Sequence, residues 1–393
     1  MKEARILVTG GGTGGHVAPA LAVIREIRER AKTATDWQPV FQYVGSAAGL
    51  EARLAGEAGV PFVGVQSGKL RRSRRWTGLF SRANFRDLLR VPVGIAQSWR
   101  EVRRFRPDVV LSTGGYVSVP AVVAAGLLKI PVLVHEQTVQ IGLANRIAAR
   151  FATRIALSFE GAVSELPPNA RAKAFVTGNP VRREIFGGDQ TQAIARFGFA
   201  PEDNSLPTVY VTGGAQGARI INRAIESVLP ELLSHCRIIH QCGSQPEGQE
   251  QDFDRLTATE ATLPETLRRR YALVRFVGDE IGDVFALANL IVGRSGAGTV
   301  TETAALGKAS VFVPLVPTGG DEQTRNARRM VEAGAALIIP QDEFDGQRLL
   351  SELVPLLADP ARLEAMGQAA FTLARPNAAR DLADAVLGLA GVQ

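Results

Sequence analysis

Cysteine is almost missing from this chain of 393 residues. Cys236 and Cys242 are too few for a disulfide framework or for paired Cys-x-x-Cys metal ligands, so a reducing compartment is the expectation. No export signal is expected either, since after Lys2 and Arg5 the only apolar stretch is Ile6-Leu7-Val8 before glycines begin. No uninterrupted apolar run suits a membrane span. The best candidate, residues 117–134, is broken by Pro120, Lys129 and Pro131 and divides into a buried helix and a buried strand. Short-period repeats and low-complexity tracts are likewise lacking.

Apolar side chains are plentiful at 46%, enough in a chain of this length for two domain cores. The net charge of +6 is unevenly spread. Residues 69–106 hold 12 Lys/Arg against 2 Asp/Glu, whereas the remainder carries 33 basic and 37 acidic residues. One basic segment on an otherwise near-neutral protein points to a local anionic partner.

Residues 5–9, a glycine run, and then Val17, Leu21, Ile24 and Ile27 at helical spacing read as strand, loop and helix. Further strand-like runs at 40–44, 62–65, 109–111, 132–134 and 175–176 alternate with helical patterns, the grammar of a parallel sheet covered on both faces. The grammar restarts at 208–212, with a helix-like stretch over 218–233 and strands at 238–239, 274–277, 290–292 and 311–313. The junction is placed at Gly178-Asn179-Pro180, giving domains 1–178 and 179–393 with a loose linker up to Pro207. Residues 350–389 read as helices that pack after the second sheet and could cross back to the first domain.

Four polar loops carry the chemistry. Gly10 to Gly15 fits G-x-G-x-x-G between a strand and a helix, where glycines let backbone N–H groups approach phosphate. A nicotinamide dinucleotide would want Asp or Glu at the end of the next strand, but Val44-Gly45-Ser46 and Cys242-Gly243-Ser244 stand there. Gly213-Gly214-Ala215-Gln216-Gly217 is the second loop. Two such domains face each other across a cleft in the arrangement these loops suggest. The third is Gly293 to Glu302, containing Ala297, Gly298, Thr299, Val300 and Thr301; its helix start suits an anion, and Glu302 suits the hydroxyls of a ribose, the rival reading being a first-turn carboxylate facing solvent. The fourth runs from Thr318 to Asn326, where Asp321 and Gln323 are candidate readers of sugar hydroxyls or, equally, cap a helix.

Taken together, GGTGGHVAPALAV from Gly11, GGYVSVPA from Gly114, HEQ at His135, GNPVR from Gly178, GGAQGAR from Gly213 and the segment 294–326 resemble the MurG family, in order and over nearly the whole chain. The resemblance implies an α/β GT-B fold, two Rossmann-like domains with parallel sheets facing across a cleft. It implies inverting transfer of N-acetylglucosamine from UDP-N-acetylglucosamine to undecaprenyl-pyrophosphoryl-N-acetylmuramyl-pentapeptide (lipid I), forming lipid II for peptidoglycan. On the donor side it implies Arg182, Ala215, Val277 near uracil, the loop Ala297 to Thr301, Glu302 near ribose and Gln323 near the sugar. Thr13, Gly14, Gly15 and His16 would face the donor sugar and the acceptor diphosphate. Gly114, Gly115 and Tyr116, with His135, Glu136, Gln137 and Thr138, would form the acceptor side. The chain departs from the family pattern at Thr138, Ala215 and Thr324.

His16, at the boundary of glycine loop and helix, is the first candidate for the base, with a capping histidine as the rival reading. Helix N-termini and Arg182 suffice to steady a leaving diphosphate, so no metal or cofactor is expected; Asp252-Phe253-Asp254 lies in a helical-looking region away from the strand ends. Arg71, Arg72, Arg74 and Arg75, interleaved with Trp76, Leu79 and Phe80, suit an anionic phospholipid surface, which sets the expected location as the cytoplasmic side of the inner (plasma) membrane, peripherally attached. Cell-wall synthesis and division proteins are candidate partners, and nucleic acid is not expected. Two other classes compete: a UDP-N-acetylglucosamine epimerase, which needs no lipid acceptor, and an RNA binder using the basic segment.

Overall fold

In the computed structural model of this chain, residues 1–68, 82–245, 250–315 and 321–392 are described, the side chains of 82–89 excepted. Among the described residues, the first sheet has seven parallel strands: β1 (Lys2–Thr9), β2 (Trp37–Gly45), β3 (Phe62–Gly64), β4 (Val109–Ser112), β5 (Val132–Glu136), β6 (Arg154–Leu157) and β7 (Ala174–Val176). Their order is β3-β2-β1-β4-β5-β6-β7. The second has six: β8 (Thr208–Thr212), β9 (Arg237–Gln241), β10 (Tyr271–Val274), β11 (Leu290–Gly293), β12 (Ala309–Phe312) and β13 (Ala336–Ile338), in the order β10-β9-β8-β11-β12-β13. In both sheets the strand order reverses beside the first strand, so a crevice opens beyond the carboxyl ends of β1 and β4, and another beyond β8 and β11. Two domains with parallel sheets, of α/β class, are thus what the chain forms.

The apolar run in β1 is continuous because both of its faces are covered. Ile6 and Val8 pack with Val23, Ile24 and Ile27 of the helix Gly14–Ala31, while Leu7 points the other way into a cluster with Val102, Val122 and Ala125. The helix Ala378–Ala390 adds Leu382, Val386 and Leu387 to the first of these cores, and Arg30 pairs with Asp384. One compact unit accordingly takes in Met1–Val181 and Arg375–Gln393, and the other Arg182–Val316 and Gln323–Ala374. In the second unit Val209 and Val211 pack against Ile221, Ile225, Leu349 and Leu353, and Phe312 meets Val300, Met330 and Ala370 on the opposite face.

Several boundaries differ from the sequence-based expectation. β10 is Tyr271–Val274 rather than 274–277, because the end of β9 at Gln241 pairs with Val274, and Arg275 and Phe276 lie beyond the ladder. β6 and β13 were not anticipated: each is an edge or next-to-edge strand of three or four residues flanked by helical patterns. The expected helix over 218–233 is two pieces, Arg219–Ser227 and Leu229–Leu232, since Pro230 has no N–H to continue the first. Residues 117–134 do separate into the helix Val119–Leu127 and β5, and no helix among the described residues is long and apolar enough to cross a membrane.

Candidate functional site

Register sets the first crevice. Thr9 of β1 lies opposite Ser112 of β4, so the two chains leave the sheet level with each other and their glycine loops meet at Gly11 N–H donating to the Gly114 carbonyl, 3.2 Å. The approach is close enough to demand glycine: Gly115 has φ +82°, and a Cβ there would fall 2.1 Å from the Gly11 carbonyl oxygen. Behind the loop, the buried carboxylate of Glu51 accepts from the N–H groups of Gly12 and Ser46, a support that nothing in the sequence signalled. Thr13 stands at the N-cap of Gly14–Ala31, but its hydroxyl makes no capping bond. With Thr13, Gly14 and Gly15 exposed, the helix presents backbone N–H groups outward, the geometry that attracts anions.

His16 lies in the first turn of that helix. Its Nδ1 is 3.0 Å from both the Thr113 carbonyl and Gln137 Oε1. Both partners accept, so Nδ1 carries the proton of the neutral ring and the lone pair sits on Nε2. His135, Glu136, Gln137 and Thr138 lie beneath, exposed by 0, 2, 2 and 7%, and their polar atoms are engaged by the protein itself. Glu136 accepts from Thr138 N, Thr138 Oγ1, Gly142 N and Asn145 Nδ2 at 2.9–3.1 Å, which organises the start of the helix Leu143–Ala148. Burial holds the His135 imidazole at a pKa of about 4, well below the ordinary value, so it stays neutral. Tyr116 is half-buried against Gly12, where an added Cβ would meet its ring at 2.8 Å.

The second crevice repeats the plan. Thr212 lies opposite Gly293, so the loops after β8 and β11 also leave level with each other. Gly217, at φ +72°, faces the Cys242 carbonyl so closely that a Cβ would be 1.9 Å from it, and Ser244 N–H donates to the Ala215 carbonyl. One side chain ties three loops together: Gln241 Nε2 donates to Thr212 Oγ1 and the Gly214 carbonyl, and its Oε1 accepts from Val277 N–H and Tyr210 O–H. A lone glutamine at a strand end carries no sequence signal for such a task. Because the Val277 N–H is committed there, Val277 has its carbonyl to offer a ligand.

The helix Ala297–Ala305 begins at Gly296 without a side-chain cap. Glu302 is in its second turn, not its first, so the dipole-favoured surface carboxylate is ruled out as its explanation. Its Oε1 accepts from Arg182 Nε at 2.8 Å, joining two residues that the family resemblance places at the donor separately. Thr301 donates its hydroxyl back to the Ala297 carbonyl, and Val300 is a core residue, while Gly298 and Thr299 face outward. Ser295 and Asn326, both buried and both unforeseen, clamp the loop to the helix Glu322–Glu332: Ser295 Oγ donates to the Gln323 carbonyl and Asn326 Nδ2 to the Ser295 carbonyl. Gln323 Oε1 accepts from Leu315 N–H, which leaves the amide nitrogen as its donor side.

Asp252 points inward to Asn222 and Arg255 and Asp254 outward to Arg275, so the Asp-x-Asp pair does not converge. A cavity of about 730 Å³, lined by Arg237, Asn289 and Lys308 among others, opens at the amino-terminal edge of the second sheet and contains none of the candidate residues. Arg71, Arg72, Arg74, Arg75, Trp76, Leu79, Phe80 and Thr318 lie outside the described residues.

Residues 6–157 match the glycosyltransferase family 28 N-terminal domain and residues 208–384 its C-terminal domain. The chain is 37% identical over 390 residues to UDP-N-acetylglucosamine--N-acetylmuramyl-(pentapeptide) pyrophosphoryl-undecaprenol N-acetylglucosamine transferase of Moorella thermoacetica, covering 98% of each. Its fold is similar to the crystal structure of Acinetobacter baumannii MurG, with a TM-score of 0.72 and 27% identity over 98% of this chain and 99% of that one. UDP-GlcNAc 2-epimerase from Neisseria meningitidis, crystallised with UDP-GlcNAc, shares the fold at a TM-score of 0.64 and 13% identity, over 99% of this chain and 100% of that one.

Proposed function

The chain belongs to glycosyltransferase family 28 and within it to the MurG enzymes, and from that premise we propose how its residues carry out the reaction. The protein is a UDP-N-acetylglucosamine-dependent glycosyltransferase that transfers N-acetylglucosamine to undecaprenyl-pyrophosphoryl-N-acetylmuramyl-pentapeptide, for peptidoglycan synthesis. The observation that carries this is the near-complete match to a transferase so named, spanning both units. The epimerase shares only the fold.

The second unit binds the donor: Glu302 accepts from the ribose hydroxyls, the Val277 carbonyl meets uracil, the Gln323 amide meets the sugar, and the start of the helix Ala297–Ala305 with Arg182 takes the diphosphate. The loop from Thr13 to Gly15 holds the acceptor diphosphate. Loss of UDP is coupled to attack of the acceptor's sugar hydroxyl on the anomeric carbon, one displacement that inverts the centre and passes the hydroxyl proton to His16 Nε2. Gly114, Gly115 and Tyr116 shape the acceptor side, and His135 to Thr138 support it from below. The basic segment attaches the protein peripherally to the cytoplasmic face of the inner membrane, where cell-wall synthesis and division proteins are its candidate partners.

The test is incubation with labelled UDP-N-acetylglucosamine and lipid I, followed by identification of the products. Labelled lipid II with release of UDP is expected; epimerised nucleotide or free sugar in its place would overturn the assignment.

A further inference from the structure

We infer that Gln137 and His135 are positioning residues for His16, forming with it a directed chain of hydrogen bonds that fixes which ring nitrogen of His16 is free to accept a proton. The inference rests on the reading of His16 as the base.

The direction of the bonds is set from the two ends by carbonyls, which can only accept. Gln137 has its Nε2 2.7 Å from the Thr113 carbonyl, so the amide nitrogen, not the oxygen, lies on that side. Its Oε1 is thereby turned to His16 Nδ1 at 3.0 Å and shares that proton with the Thr113 carbonyl, also at 3.0 Å. The second hydrogen of the same amide is shared between His135 Nδ1 at 3.1 Å, the nearer acceptor, and the His135 carbonyl at 3.3 Å. His135 then carries its proton on Nε2, 3.1 Å from the Gly178 carbonyl, again an obligate acceptor. Ser158 Oγ stands 3.3 Å from the same nitrogen, but its own proton goes to the Glu136 carbonyl at 2.8 Å. Read from one end, protons point from His135 to Gly178, from Gln137 to His135, and from His16 to Gln137.

Consistency of the chain depends on the state of its buried member. A protonated His135 would set an N–H against the Gln137 amide hydrogens and favour a flipped amide, which would then present donors to His16 Nδ1 and favour the proton on Nε2. Burial keeps His135 neutral, with its pKa at about 4. His16 itself is only half-buried, in the first turn of an outward-facing helix start, and the two residues beneath it, together with the Thr113 carbonyl, bias the chemistry of its exposed nitrogen. Thr113 reinforces the arrangement, its carbonyl accepting from both His16 and Gln137 and its hydroxyl donating to the His16 carbonyl at 2.6 Å.

The experiment is ¹⁵N NMR of the imidazoles of the full-length protein, paired with steady-state kinetics. The native protein should show His16 protonated on Nδ1. Gln137→Met, similar in length but without the amide, should raise the Nε2-protonated fraction of His16 and lower kcat by roughly 10- to 100-fold, up to the lower bound of what a positioned base contributes, with the KM for donor within about twofold. His135→Leu should do the same, and His135→Asn, whose side-chain oxygen can stand where Nδ1 accepts, should recover most of that loss. An unchanged His16 tautomer in folded Gln137→Met overturns the inference, as does equal loss in His135→Asn and His135→Leu; the two His135 variants keep it testable should Gln137→Met not fold. His16→Ala tests the underlying reading separately: near-native turnover there overturns the base, whereas the tautomer shift reports on the chain of bonds alone.

Discussion

Glu302 shows what a single side chain can and cannot reveal before folding. Its place in a glycine-bounded loop and helix marked it as a ligand group, but its bond to Arg182 joins positions 120 apart and left no local trace. The pair makes a definite prediction. In Glu302→Ala, loss of charged acceptor bonds to the ribose should weaken binding of both UDP and uridine about tenfold, roughly 1.4 kcal/mol. Calorimetry on the two ligands separates the mechanisms: a loss confined to UDP would mean that Glu302 acts through Arg182 on the diphosphate. Gln241, Glu51 and Ser295 were illegible for a related reason, since each is an ordinary polar residue whose partners come from other loops. The buried histidines give a pH prediction as well. His135 and His240 are held by burial at about 4 and about 3, below the roughly 6.5 of an exposed imidazole. The unfolded chain therefore binds more protons over that interval, and stability is complete above about pH 6.5 and lost as pH falls towards the folded values. Melting temperature should decline steadily from pH 7 to pH 5; a flat profile would refute the neutral buried rings.

At the scale of elements, strands with long apolar runs were legible because a two-faced parallel sheet demands them, as in β1, β2 and β8. The short outer strands β6 and β13 were not, because three or four residues cannot distinguish a strand from the helices around it. The glycine loops were legible as punctuation, but the reason for each glycine emerges only where two loops press together. Gly217→Ala should test this. It combines a left-handed backbone with a Cβ 1.9 Å from the Cys242 carbonyl, a fixed main-chain atom. Gly59 is left-handed too, at φ +62°, but has nothing within 4 Å. Strain alone costs on the order of 1 kcal/mol, so Gly59→Ala should lower the melting temperature by about 2–4 °C. Gly217→Ala should lower it at least twice as far and weaken UDP binding. Equal shifts in the two variants would show that the loops after β8 and β9 do not touch.

For the whole molecule, charge distribution carries the last argument. Outside residues 69–106 the chain is slightly acidic, so its overall basicity does not describe its surface; the positive charge is a local device. The transferase reaction gives the use we propose for it, because an undecaprenyl-linked acceptor remains in the bilayer while UDP-N-acetylglucosamine arrives from water. No helix among the described residues is long and apolar enough to cross a membrane; the attachment we propose is adsorption through the basic segment. Arg71, Arg72, Arg74 and Arg75 lie outside the described residues, and the case for them rests on their sequence, cations interleaved with Trp76, Leu79 and Phe80. Each basic residue close to an anionic leaflet contributes about 1 kcal/mol, and aromatic or aliphatic side chains add apolar burial at the interface. Replacing the four arginines with serine should therefore weaken binding to vesicles containing anionic phospholipid by about 10²- to 10³-fold at low salt, and by less at high salt, where screening has already reduced the attraction. Activity on bilayer-embedded acceptor should fall in parallel, whereas UDP affinity and turnover of a short-chain soluble acceptor should hold. Equal loss on both acceptors would instead assign these arginines to folding or catalysis. Undiminished vesicle binding would leave the apolar residues alone as the anchor and remove the charge from the attachment.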